Sequence, residues 1–197
     1  MSLSIYHAIE LVWSAVGGTW FVAALTSKRT ARREPAASRL IHIAIMIAAF
    51  ALMFPRLPLL GVVGSALDQR FVRDSPLAAW SGLALAAGGC TFAVWARLLL
   101  GRNWSGRVTL KQDHQLIRQG PYAIVRHPIY SGFLVGLLGT ALALGEWRAL
   151  AGWLLACIGW YTKSRTEDAF LAAHFGAAYT GYRRQVRALI PWPNHRS

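Results

Sequence analysis

The residues of this chain best suited to chemistry fall in one short stretch. From Gly120 to Gly132 it reads Gly-Pro-Tyr-Ala-Ile-Val-Arg-His-Pro-Ile-Tyr-Ser-Gly, setting Tyr122, Arg126, His127 and Tyr130 at the mouth of an apolar run. Titratable groups are costly at a membrane boundary, so several together mark a site rather than a linker. Gly120 and Pro121 set a turn, Pro128 starts a helix, and Gly132 and Gly136 allow another backbone to come close. A second polar group, Lys163, Arg165, Glu167 and Asp168, follows a later apolar run. Lys163 and Glu167 are one helical turn apart on a shared face. Polar walls beneath a basic rim suit a zwitterionic or anionic ligand presented at a membrane surface. Singly, each residue has a plainer reading. Arg126 and Lys163 fit as headgroup anchors, Tyr122 and Tyr130 as interfacial aromatics, and His127 as a helix cap. Glu167 fits as a surface partner of Lys163, worth under about 1 kcal/mol.

The elements that must position these groups follow from hydropathy and charge. The chain has 197 residues, 55% of them hydrophobic, with only eight acidic residues and a net charge of +13. A hydrocarbon core is crossed by about 20 mostly apolar residues. Five segments approach that: His7 to Leu25, Leu40 to about Leu60 (with Pro55 and Pro58 expected to end or kink it), Pro76 to Leu100, Pro128 to Leu144, and Ala149 to Tyr161. The last two are joined by the short turn Gly145-Glu146-Trp147-Arg148, which makes them an antiparallel hairpin and brings His127, Tyr130 and Arg126 near Lys163 and Glu167. Basic residues fill the first loop (Lys28 to Arg39), the third (Arg102 to Arg126) and the tail from Lys163, whereas the other loops hold only Arg70, Arg73 and Arg148. Five spans with the N-terminus outside put every basic cluster in the cytoplasm. The expected fold is therefore an all-α integral membrane protein of about five transmembrane helices. Residues 1–75 supply two of them, and residues 76–197 form a core with three.

Two segments are too polar to span. In Gly101 to Val125, Val108–Lys111 and Gln115–Arg118 are expected to pair as a short hairpin. Between Glu167 and Val186, Phe170, Leu171, Phe175, Tyr179, Tyr182 and Val186 recur at helical spacing, which predicts an amphipathic helix on the cytoplasmic face, broken near Gly176. Cys90 and Cys157 lie in apolar runs without ligand spacing, so neither a disulfide nor a metal site is expected. The basic residues are dispersed between apolar runs, which argues against nucleic acid as a partner.

At these residues the chain resembles the isoprenylcysteine carboxyl methyltransferase family and its phospholipid-methyltransferase relatives. The resemblance runs through Gly101-Arg-Asn-Trp-Ser105, His114–Ile117, the Gly-Pro-Tyr and Arg-His-Pro-x-Tyr-x-Gly block, Arg165-Thr-Glu-Asp168, Phe175-Gly176-x-x-Tyr179-x-x-Tyr182 and Ile190-Pro191. It implies S-adenosyl-L-methionine as cofactor in a cytoplasmic pocket. By position, Lys111, His114, Gln115, Leu116, Ile117, Tyr122, His127, Pro128, Ile129, Tyr130 and Glu167 would line that pocket, with Lys163, Glu167 and Arg126 as catalytic residues. The family has an arginine where this chain has Lys163, and lysine offers a point charge instead of a bidentate fork. The implied partners are membrane lipids and an amphipathic or lipid-linked acceptor. A carboxylate acceptor is ionised at pH 7 and needs no base, whereas an amine would need His127 or Glu167 to take a proton. Phospholipid N-methylation and an NADPH-dependent reductase of the sterol-reductase type stand as alternatives. The expected location is a bacterial inner membrane, with the site facing the cytoplasm.

Overall fold

The computed structural model describes residues 3–25, 30–33, 36–54, 66–101, 109–111 and 116–191. Its helices are α1 (Leu3–Ala24), α2 (Ala36–Met53), α3 (Pro76–Leu100), α4 (Pro121–Ile124), α5 (Pro128–Leu144), α6 (Trp147–Phe175) and α7 (Ala177–Gln185). Two short strands, β1 (Thr30–Arg33) and β2 (Thr109–Lys111), and one 3₁₀ turn at Ala66–Asp68 complete the described elements. Local chemistry sets the boundaries. Pro76 opens α3 behind Ser75, whose Oγ accepts from the Ala78 amide at 3.1 Å. Gly145 closes α5 in the left-handed conformation, and Gly176, at φ +55°, ends α6.

Helices α3 and α5 pack closely because both present small residues at matching spacing. Gly82, Ala86, Gly89 and Ala93 face Gly139, Gly136 and Gly132, and a Cβ on Gly89 would lie 2.4 Å from the Gly136 amide nitrogen. Such contact replaces side-chain interdigitation by backbone-on-backbone packing. Gly82 meets Gly139 while Gly89 meets Gly132, so the two helices are antiparallel. Ile5 and Ile9 pack with Ala79 at one end of the molecule, and Arg97 Nη2 donates to the Ala23 carbonyl at the other (2.8 Å), so α1 runs parallel to α3. Gly152 abuts Ala49 and Gly159 abuts Met46, so α2 is antiparallel to α6. Among the described residues, the long helices therefore alternate in direction along the chain. The C-terminal ends of α1 and α3, the start of α5 and the second half of α6 share one end of the bundle.

The opposite end is closed by Arg148. Its Nη1 donates to the carbonyls of Leu52 and Met53, both at 3.0 Å, and its other nitrogens meet Asp68 and Glu146. One guanidinium thus caps α2 and holds the α5–α6 turn. The outer surface is apolar, with Leu11, Phe21, Ile47, Trp80, Leu98 and Ile158 exposed. Such a surface suits hydrocarbon rather than water. Among the described residues, Pro76–Leu100 is the one helix long and apolar enough to cross a membrane by itself, and Arg39–Met53 and Pro128–Leu144 are shorter apolar helices.

Two expectations need correction. β2 pairs antiparallel with β1, Thr30 opposite Lys111, so its partner is the first loop rather than residues 115–118. Leu116–Arg118 are not in a strand. The final span and the amphipathic segment are not separate up to Gly176: α6 is one helix of 29 residues. The polar face of Lys163–Asp168 keeps the helical register of the apolar part, and nothing between Tyr161 and Phe175 interrupts the hydrogen-bond ladder. The break does occur at Gly176. α2 ends at Met53, just before Pro55, one of the two prolines expected to end or kink it.

The neighbouring glycines of α3 provide a test of the packing. A Cβ at Gly88 meets nothing within 4 Å, whereas one at Gly89 strikes α5 backbone. Gly89→Ala is expected to cost about 1–3 kcal/mol, as overpacking does. Gly88→Ala is expected to be neutral or to gain up to about 1 kcal/mol from helix propensity. Melting midpoints of the two variants in detergent would separate them; equal midpoints would contradict the packing.

Candidate active site

The site begins with a bend and a strap. α4 ends at Ile124, and past the extended Val125 the amides of Arg126 and His127 donate not to a helix but to the carbonyls of Arg187 (2.8 Å) and Ala188 (3.0 Å) in the tail. Ser131 Oγ adds a bond to the Leu189 carbonyl at 2.6 Å. Residues 186–189 therefore lie across the start of α5, and Pro128 then launches the helix. His127 occupies the N-cap position but forms no side-chain cap bond. Its ring is free for the second half of α6.

Asp168 is the hub. Arg126 grips it with two donors, Nη2 to Oδ2 at 2.5 Å and Nε to Oδ1 at 3.3 Å, and sends Nη1 to the Val186 carbonyl. Tyr179 of α7 donates its hydroxyl to Oδ1 at 2.5 Å, and His127 Nε2 lies 2.9 Å from the same oxygen. The other imidazole nitrogen, Nδ1, lies 3.3 Å from Glu167 Oε2, and Tyr130 donates to Glu167 Oε1 at 2.7 Å. Consecutive carboxylates on α6 thus flank one imidazole.

This geometry determines charge states. Both ring nitrogens of His127 face carboxylate oxygens, so both must carry protons to bond. Burial alone would lower the His127 pKa, but the bonds to Asp168 and Glu167 outweigh it and raise the value above 6.5. Burial would raise both carboxyl pKa values. Hydrogen bonding from His127 instead holds Glu167 and Asp168 below their ordinary range, helped by Lys163 for the first and Arg126 for the second. Burial next to Asp168 pushes the Tyr179 phenol up, so it remains a donor. Burial likewise pushes Tyr182 up to about 12, and its hydroxyl donates to the Tyr122 carbonyl at 2.6 Å.

Beside the ionic array lies an aromatic one. The rings of His127 and Tyr130 are stacked with centroids 5.6 Å apart, and Tyr130 and Trp160 are stacked at 6.2 Å. Lys163 Nζ sits 5.6 Å from the Tyr130 ring centroid. The Glu167 side chain retains 19% exposure against 5% for Asp168, so Glu167 is the carboxylate a ligand can reach.

The structure therefore brings together Arg126, His127, Tyr130, Lys163 and Glu167 from the expected set. Pro128 and Ile129 are buried at the start of α5, and Ile117 and Ile129 pack in one cluster with Ala96 and Tyr122. Leu116 is half-buried beside them. The Tyr122 ring belongs to this packing, its hydroxyl 3.5 Å from the Ala96 carbonyl. His114, Gln115 and the Lys111 side chain lie outside the described residues. Asp168, Tyr179, Ser131 and Trp160 were not among the expected site residues. The adjacent Glu167-Asp168 pair and the Tyr179-x-x-Tyr182 spacing were the available signals, but their partners depend on the strap.

Residues 82–173 match the family model described as the isoprenylcysteine carboxyl methyltransferase (ICMT) family. The segment that carries most of the site is thus similar to that family. The matched region starts within α3, earlier than the residues that carried the resemblance, and ends before Gly176 and the tail tyrosines. The chain is 38% identical over 101 residues to the protein-S-isoprenylcysteine O-methyltransferase of Schizosaccharomyces pombe, covering 49% of this chain and 42% of that one. It is 34% identical over 110 residues to the cobalt-zinc-cadmium resistance protein CzcN of Cupriavidus metallidurans, covering 55% and 49%. The chain thus spans about half the length of the curated relatives it matches. Its fold is similar to that of the eukaryotic intramembrane Ras methyltransferase ICMT, at a TM-score of 0.54 and 23% identity over 83% of this chain and 56% of the other.

Replacing Asp168 isolates the hub. Asp168→Asn leaves two buried cations, Arg126 and His127, facing a neutral amide, and is expected to cost about 3–5 kcal/mol. Thermal unfolding in detergent would show it, and an unchanged midpoint would sink the hub assignment. The pH dependence has a definite sign. With depressed folded pKa values, Glu167 and Asp168 contribute stability that is complete above about pH 4 and lost as pH falls through those values. With a raised folded pKa, His127 contributes stability that is complete below about pH 6.5 and lost as pH rises through its folded value. His127→Gln should remove the alkaline limb of the stability profile and keep the acid one.

Proposed function

We propose that this chain is an integral-membrane methyltransferase that uses S-adenosyl-L-methionine and acts on the carboxylate of a lipid-linked acceptor such as an isoprenylcysteine. The observation that carries the choice of acceptor is the pairing of both His127 nitrogens with carboxylates. An imidazole so engaged has no lone pair for a proton, and a Glu167 with lowered pKa is a poor base. An amine acceptor would need such a base. A carboxylate arrives ionised and does not.

The residues present fit the cofactor. When bound, S-adenosyl-L-methionine supplies an electrophilic methyl group on a sulfonium cation. Glu167, held by Tyr130 and His127, offers a reachable anion beside aromatic faces, which suits a cation. Lys111, His114, Gln115, Leu116, Ile117, Tyr122, Pro128 and Ile129 are assigned to the rest of the pocket. Lys163 is assigned to the acceptor carboxylate. Arg126 acts through Asp168 as a positioning residue. The first two helices (residues 1–75) buttress α3 and α6 and leave the reaction to residues 76–197. The basic loops and tail favour five spans with the site end in the cytoplasm, in a bacterial inner membrane.

Incubation of purified protein with methyl-labelled S-adenosyl-L-methionine and an S-prenylated N-acetylcysteine tests the acceptor. The expected product is a methyl ester that releases methanol in base. Label in phosphatidylethanolamine that resists base would favour N-methylation, and oxidation of NADPH by the protein would favour the reductase. Glu167→Gln is expected to weaken binding of S-adenosyl-L-methionine about tenfold, or roughly 1.4 kcal/mol. The neutral thioether S-adenosylhomocysteine should lose less, because the effect acts on the sulfonium charge. Calorimetry showing equal loss for both ligands would contradict the assigned role.

A further inference from the structure

The tail carries charge that the site does not use. After Asp168 the sequence contains no aspartate or glutamate, yet it contains Arg183, Arg184, Arg187 and Arg196. α7 buries Tyr179 and Tyr182 against the site and leaves Arg183 exposed. Arg187 is exposed just beyond the helix, and Ile190 follows with 72% of its surface open. The same segment also reaches inward. The carbonyls of Arg187 and Ala188 accept from the Arg126 and His127 amides, and the Val186 carbonyl accepts from the Arg126 guanidinium. One short stretch therefore presents cations outward and holds the catalytic bend inward.

We propose that residues 183–190 form a docking surface for anionic phospholipid headgroups, and that its occupancy presses the strap onto Arg126 and His127. The inference rests on the membrane placement proposed above. Arginine matches phosphate oxygens with a planar fork of donors. An exposed isoleucine next to exposed arginines is the composition of an interfacial element, the apolar side chain entering the acyl boundary while the cations stay among the headgroups. Each basic residue near an anionic leaflet gains about fivefold in partitioning, and a zwitterionic leaflet offers no such net attraction. No acidic side chain in the segment offsets this. The strap has few bonds of its own: four carbonyls, from Val186 to Leu189, hold it to the bend and α5. Docking by headgroups therefore shifts its equilibrium where a larger interface would not need help.

Amide hydrogen exchange of the full chain in lipid nanodiscs tests this, because the Arg126 and His127 amides report the strap directly. Replacing part of the phosphatidylcholine by phosphatidylglycerol is expected to slow exchange of those amides at least fivefold. The double variant Arg183→Gln/Arg187→Gln should exchange at the phosphatidylcholine rate in both bilayers. Equal protection of the parent protein in the two bilayers would overturn the proposal, as would a lipid response that survives in the double variant. Inorganic phosphate that protects the amides equally in phosphatidylcholine discs would also overturn it, in favour of a free-anion site. Protein that fails to enter either disc would refute the membrane placement itself; protein that enters both without lipid response refutes only the docking surface.

Discussion

A buried carboxylate surrounded by three donors from two other segments of the chain organises one end of this protein. Asp168 comes from the last long helix, Arg126 and His127 from the bend before α5, and Tyr179 from the terminal helix. An aspartate only 4% exposed is tolerable when ionised only if its charge is compensated, and the fork of Arg126 with the imidazolium provides that. The compensation also ties three separate segments of chain to one point. With Asp168 neutral, the bend, the strap and α7 would share no common anchor.

The rest of the bundle makes that meeting possible. Glycine and alanine at matched positions let α3 and α5 approach backbone to backbone, which sets where the bend emerges. Arg148 closes the far end and fixes the α5–α6 turn, so α6 returns alongside α5 with Trp160, Lys163 and Glu167 facing His127 and Tyr130. α6 does not stop at the end of its apolar part. Its continuation to Phe175 turns the end of an apolar helix into the scaffold of the site. Rigid helices thus carry most of the site's side chains, and the irregular backbone lies where it is bonded by the strap.

The charge pattern of the site narrows its chemistry. A histidine beside a proline-led helix looks in isolation like a general base. Set between two carboxylates it is an acid-form donor, and the reaction classes that need a proton removed lose their agent. Glu167 retains both a charge and access, which fits a cationic group better than a neutral one. These conclusions follow from distances and accessibility rather than from residue identity.

Much of this was legible in the order of residues. Hydropathy and proline starts marked where the long apolar helices lie, because burial acts on local composition. The short Gly145–Arg148 turn was enough to bring Lys163 and Glu167 to the Gly120–Gly132 block, since a short connection forces neighbours. Other features depended on contacts that sequence spacing does not encode. The pairing of β2 with β1 joins residues nearly eighty positions apart, and the strap reaches sixty positions back to Arg126 through backbone carbonyls whose identity is the same in every residue. The priority of Asp168 over Glu167 as the structural anchor also arose only in three dimensions. Adjacent carboxylates on a helix point about 100° apart, and only the packed neighbours decide which one is enclosed and which one is left to a ligand.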